Sequence, residues 1–100
     1  MLEPINLFET TVPDNVRQDG SELMERITQR DQSALTELYE LHSRAVYNLA
    51  HYILKNPASA EEITQDVFFQ IWRWPERWDA AKGRLLAWLL AVTRYTAIDR

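Results

Sequence analysis

Apolar residues recur every three or four positions through most of this chain, and prolines at positions 57 and 75 interrupt the recurrence. This spacing places apolar side chains on one face of a helix, whereas no segment alternates apolar and polar residues as a half-buried strand does. Proline disfavours helical backbone in the residue before it, so helices are expected to end at Asn56 and at Trp74. The pattern predicts an all-α fold, a small helical bundle of about four helices.

The first two predicted helices begin at residues that cap helices well. Ser21 precedes a short periodic segment, so we expect it to cap a first helix that runs to about Arg30. Asp31 is expected to cap a second, longer helix that ends before Pro57. The apolar face of this second helix is predicted to comprise Leu35, Leu38, Leu41, Ala45, Val46, Leu49, Tyr52 and Ile53.

The third predicted helix begins with a capping box. Ser59 and Glu62 stand three positions apart, so the serine hydroxyl and the carboxylate can each accept a hydrogen bond from an end amide. This spacing predicts a helix from Ala60 to Trp74. A connector containing one helical turn is expected at 74–83, and a fourth helix is expected to begin at its end.

Length and composition limit the domain organisation. The 100 residues, of which 46% are hydrophobic, suffice for one small core, predicted at 21–100. Residues 1–20 contain two prolines and no sustained period, which predicts a flexible tail. The fourth helix is still periodic at the last residue, so we expect the chain to be the front part of a longer protein. The strongest apolar run, at 85–92, is shorter than the roughly 20 residues that cross a bilayer, so we expect a cytoplasmic protein without membrane insertion.

The formal charge of −4 is unevenly distributed along the chain. Residues 1–72 contain five Lys/Arg and twelve Asp/Glu, a balance of −7, whereas residues 73–100 contain six and three, a balance of +3. An overall acidic protein is a poor ligand for nucleic acid, but a locally basic end is compatible with phosphate binding.

The third helix is predicted to present an acidic outer face with an aromatic residue inside it. A helical wheel places Ile63, Val67, Phe68, Ile71 and Trp74 toward the core. The opposite side carries Glu62, Gln65, Asp66, Phe69 and Arg73. Phe69 either packs beneath a neighbouring loop or anchors a partner protein, with the carboxylates selecting a basic surface.

Aromatic and cationic residues alternate through the connector and into the fourth helix. This composition is typical of single-strand binding, in which cations follow phosphates and aromatic rings stack on bases. Trp78 is the tryptophan that the helical pattern assigns least clearly to an apolar face. Lys82, Arg84 and Arg94 supply positive charge. A merely solvated helix face would have a similar composition, so both interpretations stay open.

No catalytic or metal-binding constellation is evident. The chain has no cysteine, which excludes disulfides and thiolate metal sites. His42 and His51 are nine residues apart on one helix and face opposite sides, so they do not form a zinc pair. With only two glycines there is no phosphate-cradling loop. We therefore expect a protein without enzymatic activity, cofactor or metal.

Three segments together resemble region 2 of bacterial extracytoplasmic-function (ECF) RNA polymerase sigma factors, over about residues 31–100. They are ALTELYELHSRAVYNLAHYIL, AEEITQDVFFQIWR and WDAAKGRLLAWLLAVTRYTAID. The first segment resembles the first helix of that region in the family, and the second resembles the polymerase-binding helix. The third resembles the segments that open and recognise the promoter −10 element. The resemblance implies a helical transcription initiation domain whose partners are core RNA polymerase and promoter DNA.

The resemblance also implies roles for particular residues. Glu62, Gln65 and Asp66 would face the clamp helices of the largest polymerase subunit, with Phe69 and Arg73 alongside. The connector would capture a flipped base of the non-template −10 strand at Trp78, with Lys82, Arg84 and Arg94 near the DNA backbone. Tyr95 stands where the family commonly has asparagine and is included among the predicted DNA contacts.

Two further expectations follow from the resemblance. Such factors are usually held inactive by an anti-sigma factor, so one is an expected partner. They also have a second helical domain for the −35 element, which these residues do not supply. A sigma-like helical domain that binds a regulatory protein without touching DNA is the alternative function.

Overall fold

A computed structural model describes residues 20–99, which form four α-helices and two short 3-10 turns. The helices are α1 (Ser21–Thr28), α2 (Gln32–Leu54), α3 (Pro57–Arg73) and α4 (Leu85–Asp99), and the 3-10 turns span Pro75–Arg77 and Ala80–Lys82. No strand occurs in this part of the chain. The all-α bundle of about four helices is confirmed. The predicted tail at 1–20, apart from Gly20, lies outside the described residues, so the predicted domain boundary stays a prediction.

The predicted cap of α2 is confirmed, and that of α3 is wrong. The Asp31 carboxylate accepts the backbone N–H of Ser33 at 3.0 Å. At α3 the cap is Asn56, whose side-chain oxygen accepts the Ser59 N–H at 2.9 Å, so the helix begins at Pro57, three residues before the predicted start at Ala60. Pro57 fits the first helical position because its missing N–H would have no intrahelical partner there.

The predicted cap of α1 is also wrong, because Gly20 and not Ser21 precedes the helix. Gly20 has φ 98°, a left-handed conformation that suits glycine. Its backbone lies directly against Leu85 at the start of α4. A Cβ added at Gly20 would come within 2.3 Å of Leu85 Cδ2, so the close approach also requires glycine.

The core lies where the four helices meet. Its face on α2 differs from the predicted one. Positions buried on α2 are Ala34, Leu38, Val46 and Ala50. Each step of four residues rotates by about 40°, so this face winds around the 23-residue helix. Two predicted core residues fall outside it, since Leu41 is 63% exposed and Tyr52 is 71% exposed.

An ion-pair network holds α1 against the start of α2. The Arg26 guanidinium contacts the Asp31 carboxylate at 2.9 Å and the Glu37 carboxylate at 3.0 Å. Hydrogen bonds from Ser33 and Arg26 lower the pKa of Asp31 from 3.8 to about 2. The charged form of Asp31 therefore stabilises both the cap and the α1–α2 corner.

The chain between α3 and α4 is more structured than predicted, with two 3-10 turns where one helical turn was expected. α1 packs against the first of these turns as well as against α2. Across residues 20–99, no helix combines the length and the apolar character needed to span a bilayer.

Candidate functional site

The outer face of α3 carries the predicted docking residues, and all of them are exposed. Ile63, Val67, Phe68 and Ile71 are buried on the opposite side of the helix, as predicted. Trp74, also predicted on that side, is only partly buried and follows the last residue of the helix. The exposed residues are Glu62, Gln65, Asp66, Phe69 and Arg73. Phe69 is 55% exposed, so the alternative in which a loop covers its ring is wrong. An aromatic side chain in water beside carboxylates suits a protein partner.

Stacked aromatic and guanidinium groups extend from this face toward the connector. Arg73 lies 5.9 Å from the ring centroid of Phe69 and 5.1 Å from that of Trp74. Arg77 also contacts Trp74, at 4.2 Å from its ring centroid, so Phe69, Arg73, Trp74 and Arg77 form a continuous series. We call these four residues the aromatic–cation ladder. Distances within about 6 Å are those of attractive cation–π contacts.

An open groove of about 630 Å³ separates α3 from the C-terminal end of α4. Its lining from α3 is Glu62, Ile63, Gln65, Asp66 and Gln70, and from α4 Tyr95, Thr96 and Asp99. Three carboxylates line it, and no lysine or arginine among residues 20–99 does, so we call it the acidic groove. Gln70 donates a hydrogen bond to the Thr96 hydroxyl at 3.1 Å, which ties the two walls together.

A second groove, of about 290 Å³, lies at the opposite end of α4, against the connector. Its lining is Arg77, Trp78, Asp79, Lys82, Gly83, Arg84, Ala87, Trp88 and Ala91. Three cations and one carboxylate line it, so we call it the basic groove. The alanines of α4 have small side chains, so a ligand backbone can approach the helix closely.

The second 3-10 turn determines how the basic groove presents its charges. The Asp79 carboxylate caps this turn by accepting the Ala81 N–H at 2.9 Å. Gly83 then adopts φ 144° and ψ 176°, a conformation that is essentially restricted to glycine, and α4 begins two residues later. Lys82 and Arg84 flank Gly83 and are both exposed. The acidic residue of the groove is thus engaged locally, and the cations face solvent.

Trp78 has both a structural and a lining role. Its ring packs against the core cluster and is partly buried, and it also forms part of the wall of the basic groove. Its indole N–H is buried, and within residues 20–99 no acceptor contacts it. Partial packing against the core therefore leaves Trp78 in the wall of the groove, and its role in DNA binding stays a prediction.

The structure brings together three of the five predicted DNA-contacting residues. Trp78, Lys82 and Arg84 line the basic groove, whereas Arg94 is exposed on α4 outside its lining. Tyr95 lies in the acidic groove, beside residues predicted to bind protein. Arg77 was missed, although its position among tryptophans in the connector was a signal visible in the sequence.

Comparison with known proteins identifies relatives for most of the chain. The family model described as Sigma-70 region 2 matches residues 38–100. The ECF RNA polymerase sigma factor SigK of Mycobacterium bovis (strain BCG / Pasteur 1173P2) is 36% identical over 90 residues, covering 90% of this chain and 48% of that protein. SigK of Mycobacterium tuberculosis (strain ATCC 25618 / H37Rv) matches equally. SigK of Mycobacterium sp. (strain KMS) is 34% identical over 101 residues, covering 100% of this chain and 49% of that protein. The chain thus spans about half the length of the curated relatives it matches.

Proposed function

The chain belongs to the Sigma-70 region 2 family, and we propose that it is the part of an ECF sigma factor that docks on core RNA polymerase and recognises and melts the promoter −10 element. One observation carries the proposal: a single small bundle pairs an exposed acidic face on α3 with a basic, tryptophan-lined groove at the connector. Members of this family are initiation factors and not enzymes. The two surfaces provide one site for a protein and one for nucleic acid.

The α3 face supports docking on the clamp helices of the largest polymerase subunit. Asp66 and its acidic neighbours provide charge that favours a basic helix and disfavours acidic surfaces. The exposed ring of Phe69 provides an apolar anchor of the kind that dominates binding energy. Because α3 is held in the bundle by six buried residues, this face needs no rearrangement before it binds.

The basic groove supports capture of an unpaired base from the non-template strand. Arg77, Lys82 and Arg84 can contact phosphates, and the tryptophan rings can stack on a base, worth about 1–3 kcal/mol. Flipping a base out of the duplex costs a few kcal/mol. Stacking and phosphate contacts together are of that size, so binding energy suffices to favour local melting without hydrolysis of a nucleotide.

An anti-sigma factor is the third partner that we propose. A protein that covers the acidic face of α3 would compete with the polymerase for the same residues. Regulation would then require no change in the fold of the bundle, because covering Asp66 and Phe69 is enough to block docking.

The salt dependence of DNA binding tests the DNA-binding half of the proposal. Each phosphate contact on single-stranded DNA contributes about 0.7 to the slope of log affinity against log salt concentration. We expect Arg84→Ala to reduce that slope by about 0.7 for a labelled non-template −10 oligonucleotide in the presence of core polymerase. Lys82→Ala should behave likewise, and both variants should slow promoter opening.

Arg44→Ala is the matched control, because Arg44 is an exposed arginine on α2 that does not line the basic groove. An unchanged slope in both groove variants would place the DNA elsewhere. The wild-type chain could also bind the polymerase while the complex shows no sequence-dependent affinity for DNA. That result would favour the alternative, a sigma-like domain that binds only proteins.

A further inference from the structure

Tyr95 is a highly exposed aromatic residue that does not line the basic groove. Its side chain is 73% exposed and lies near the C-terminal end of α4. The basic groove uses Ala87, Trp88 and Ala91, which lie toward the other end of the helix. Tyr95 instead shares the acidic groove with Gln65 and Asp66 of α3.

The charge of this groove is unfavourable for DNA and favourable for a cation. Carboxylates of Glu62, Asp66 and Asp99 line it, so a phosphate placed beside Tyr95 would meet like charge. A lysine or arginine side chain placed there would meet these carboxylates and a tyrosine ring together. Both interactions attract a cation, and the cation–π attraction becomes stronger when water is excluded from the site.

We propose that Tyr95 and Asp99 extend the polymerase-docking surface from α3 onto α4, and that the acidic groove receives a lysine or arginine side chain of the polymerase. This inference rests on the proposed function, since it concerns the same partner. It changes the role of Tyr95 from a DNA contact to a protein contact. It also makes the docking surface span two helices, so that the partner contacts α3 and α4 together.

The groove is built before any partner arrives. The hydrogen bond between Gln70 and Thr96 joins its two walls, and Ile63, which lines it, is 1% exposed and is held in the core. A volume of about 630 Å³ is ample for one long side chain to enter between the helices. The geometry therefore asks little reorganisation of this protein on binding.

The test measures the affinity of the full chain for bacterial core RNA polymerase by fluorescence anisotropy. We expect Tyr95→Ala to weaken binding by about 3- to 30-fold, the range given by one cation–π contact. Asp99→Asn should weaken binding in the same direction, and high salt should reduce its effect. Tyr52→Ala is the matched control, because Tyr52 is 71% exposed and lies on α2, away from the groove. It should leave the affinity unchanged.

Three results separate this inference from the proposed function. Asp66→Arg tests the α3 face in the same assay and should weaken binding strongly. If Asp66→Arg weakens binding and Tyr95→Ala does not, the extension onto α4 is overturned while docking on α3 stands. If neither variant has an effect, the docking half of the proposed function is overturned too. Tyr95→Ala could also bind the polymerase normally but weaken binding of the −10 oligonucleotide by the assembled complex. That result would identify Tyr95 as a DNA contact and overturn the inference.

Discussion

The close contact between Gly20 and Leu85 makes a quantitative prediction about stability. In Gly20→Ala, the new methyl group would lie 2.3 Å from Leu85 Cδ2 and 2.6 Å from Leu85 Cβ. Leu85 is 1% exposed, so the leucine has no open space into which to move. The substitution therefore adds volume to a closed part of the core and also places alanine at φ 98°.

Two terms contribute to the magnitude. A left-handed conformation costs an L-residue about 1–2 kcal/mol, and an extra methyl group in a packed core costs about 1–3 kcal/mol. We expect Gly20→Ala to lower the free energy of unfolding by about 2–5 kcal/mol, a large part of the 5–15 kcal/mol typical of a whole domain. At about 4–8 °C per kcal/mol, the Tm should fall by at least about 8 °C.

Gly83→Ala separates the two terms. Gly83 also has positive φ, at 144°, but nothing lies within 4 Å of a Cβ added there. This variant should therefore show backbone strain without overlap. Urea denaturation followed by far-UV circular dichroism would measure both variants. If Gly20→Ala were no more destabilising than Gly83→Ala, the overlap term would be absent and the packing of Gly20 against Leu85 would be wrong.

Two further predictions concern the core and the α1–α2 corner. Leu38→Ala should lower the free energy of unfolding by about 2–5 kcal/mol, whereas Leu41→Ala, on the exposed side of α2, should change it by less than about 0.5 kcal/mol, both measured by urea denaturation. Similar losses at the two positions would contradict the winding core face. Asp31→Asn keeps a capping side chain but removes the carboxyl group whose pKa is lowered from 3.8 to about 2. A lowered pKa stabilises the folded state above pH 4, so the wild type should be more stable than the variant there. The extra stability of the wild type should disappear as the pH falls through about 2. If acid titrations showed a stability difference that did not depend on pH, the Asp31 charge would not be its cause.

Helical periodicity and proline positions were enough to predict the class of fold and the order of the helices. The cap of α3 was mispredicted because Asn56 and Ser59 are both good capping residues. The rule that proline prefers the first helical turn favours Asn56, so this error was avoidable from sequence. The inward and outward sides of α3 were predicted correctly because four apolar residues leave little choice of face.

Other features depend on tertiary packing and have no local signal. The core face of α2 winds around the helix, whereas the predicted stripe was straight and therefore included Leu41 and Tyr52 in error. The placement of Tyr95 depends on which end of α4 lies beside α3, and a helical wheel carries no information about that. The contact of Gly20 with Leu85 joins residues 65 positions apart in the sequence.

The aromatic–cation ladder also affects the entropy of binding. A free arginine side chain has roughly 2 kcal/mol of rotamer entropy to lose when it is fixed by a ligand. Arg77 lies 4.2 Å from the Trp74 ring while it also lines the basic groove, so part of that freedom is already lost in the unbound bundle. Phosphate contact at Arg77 therefore requires less ordering than contact at an unstacked arginine. Replacing Trp74 would release Arg77 and so weaken the proposed phosphate contact without removing any charge from the groove.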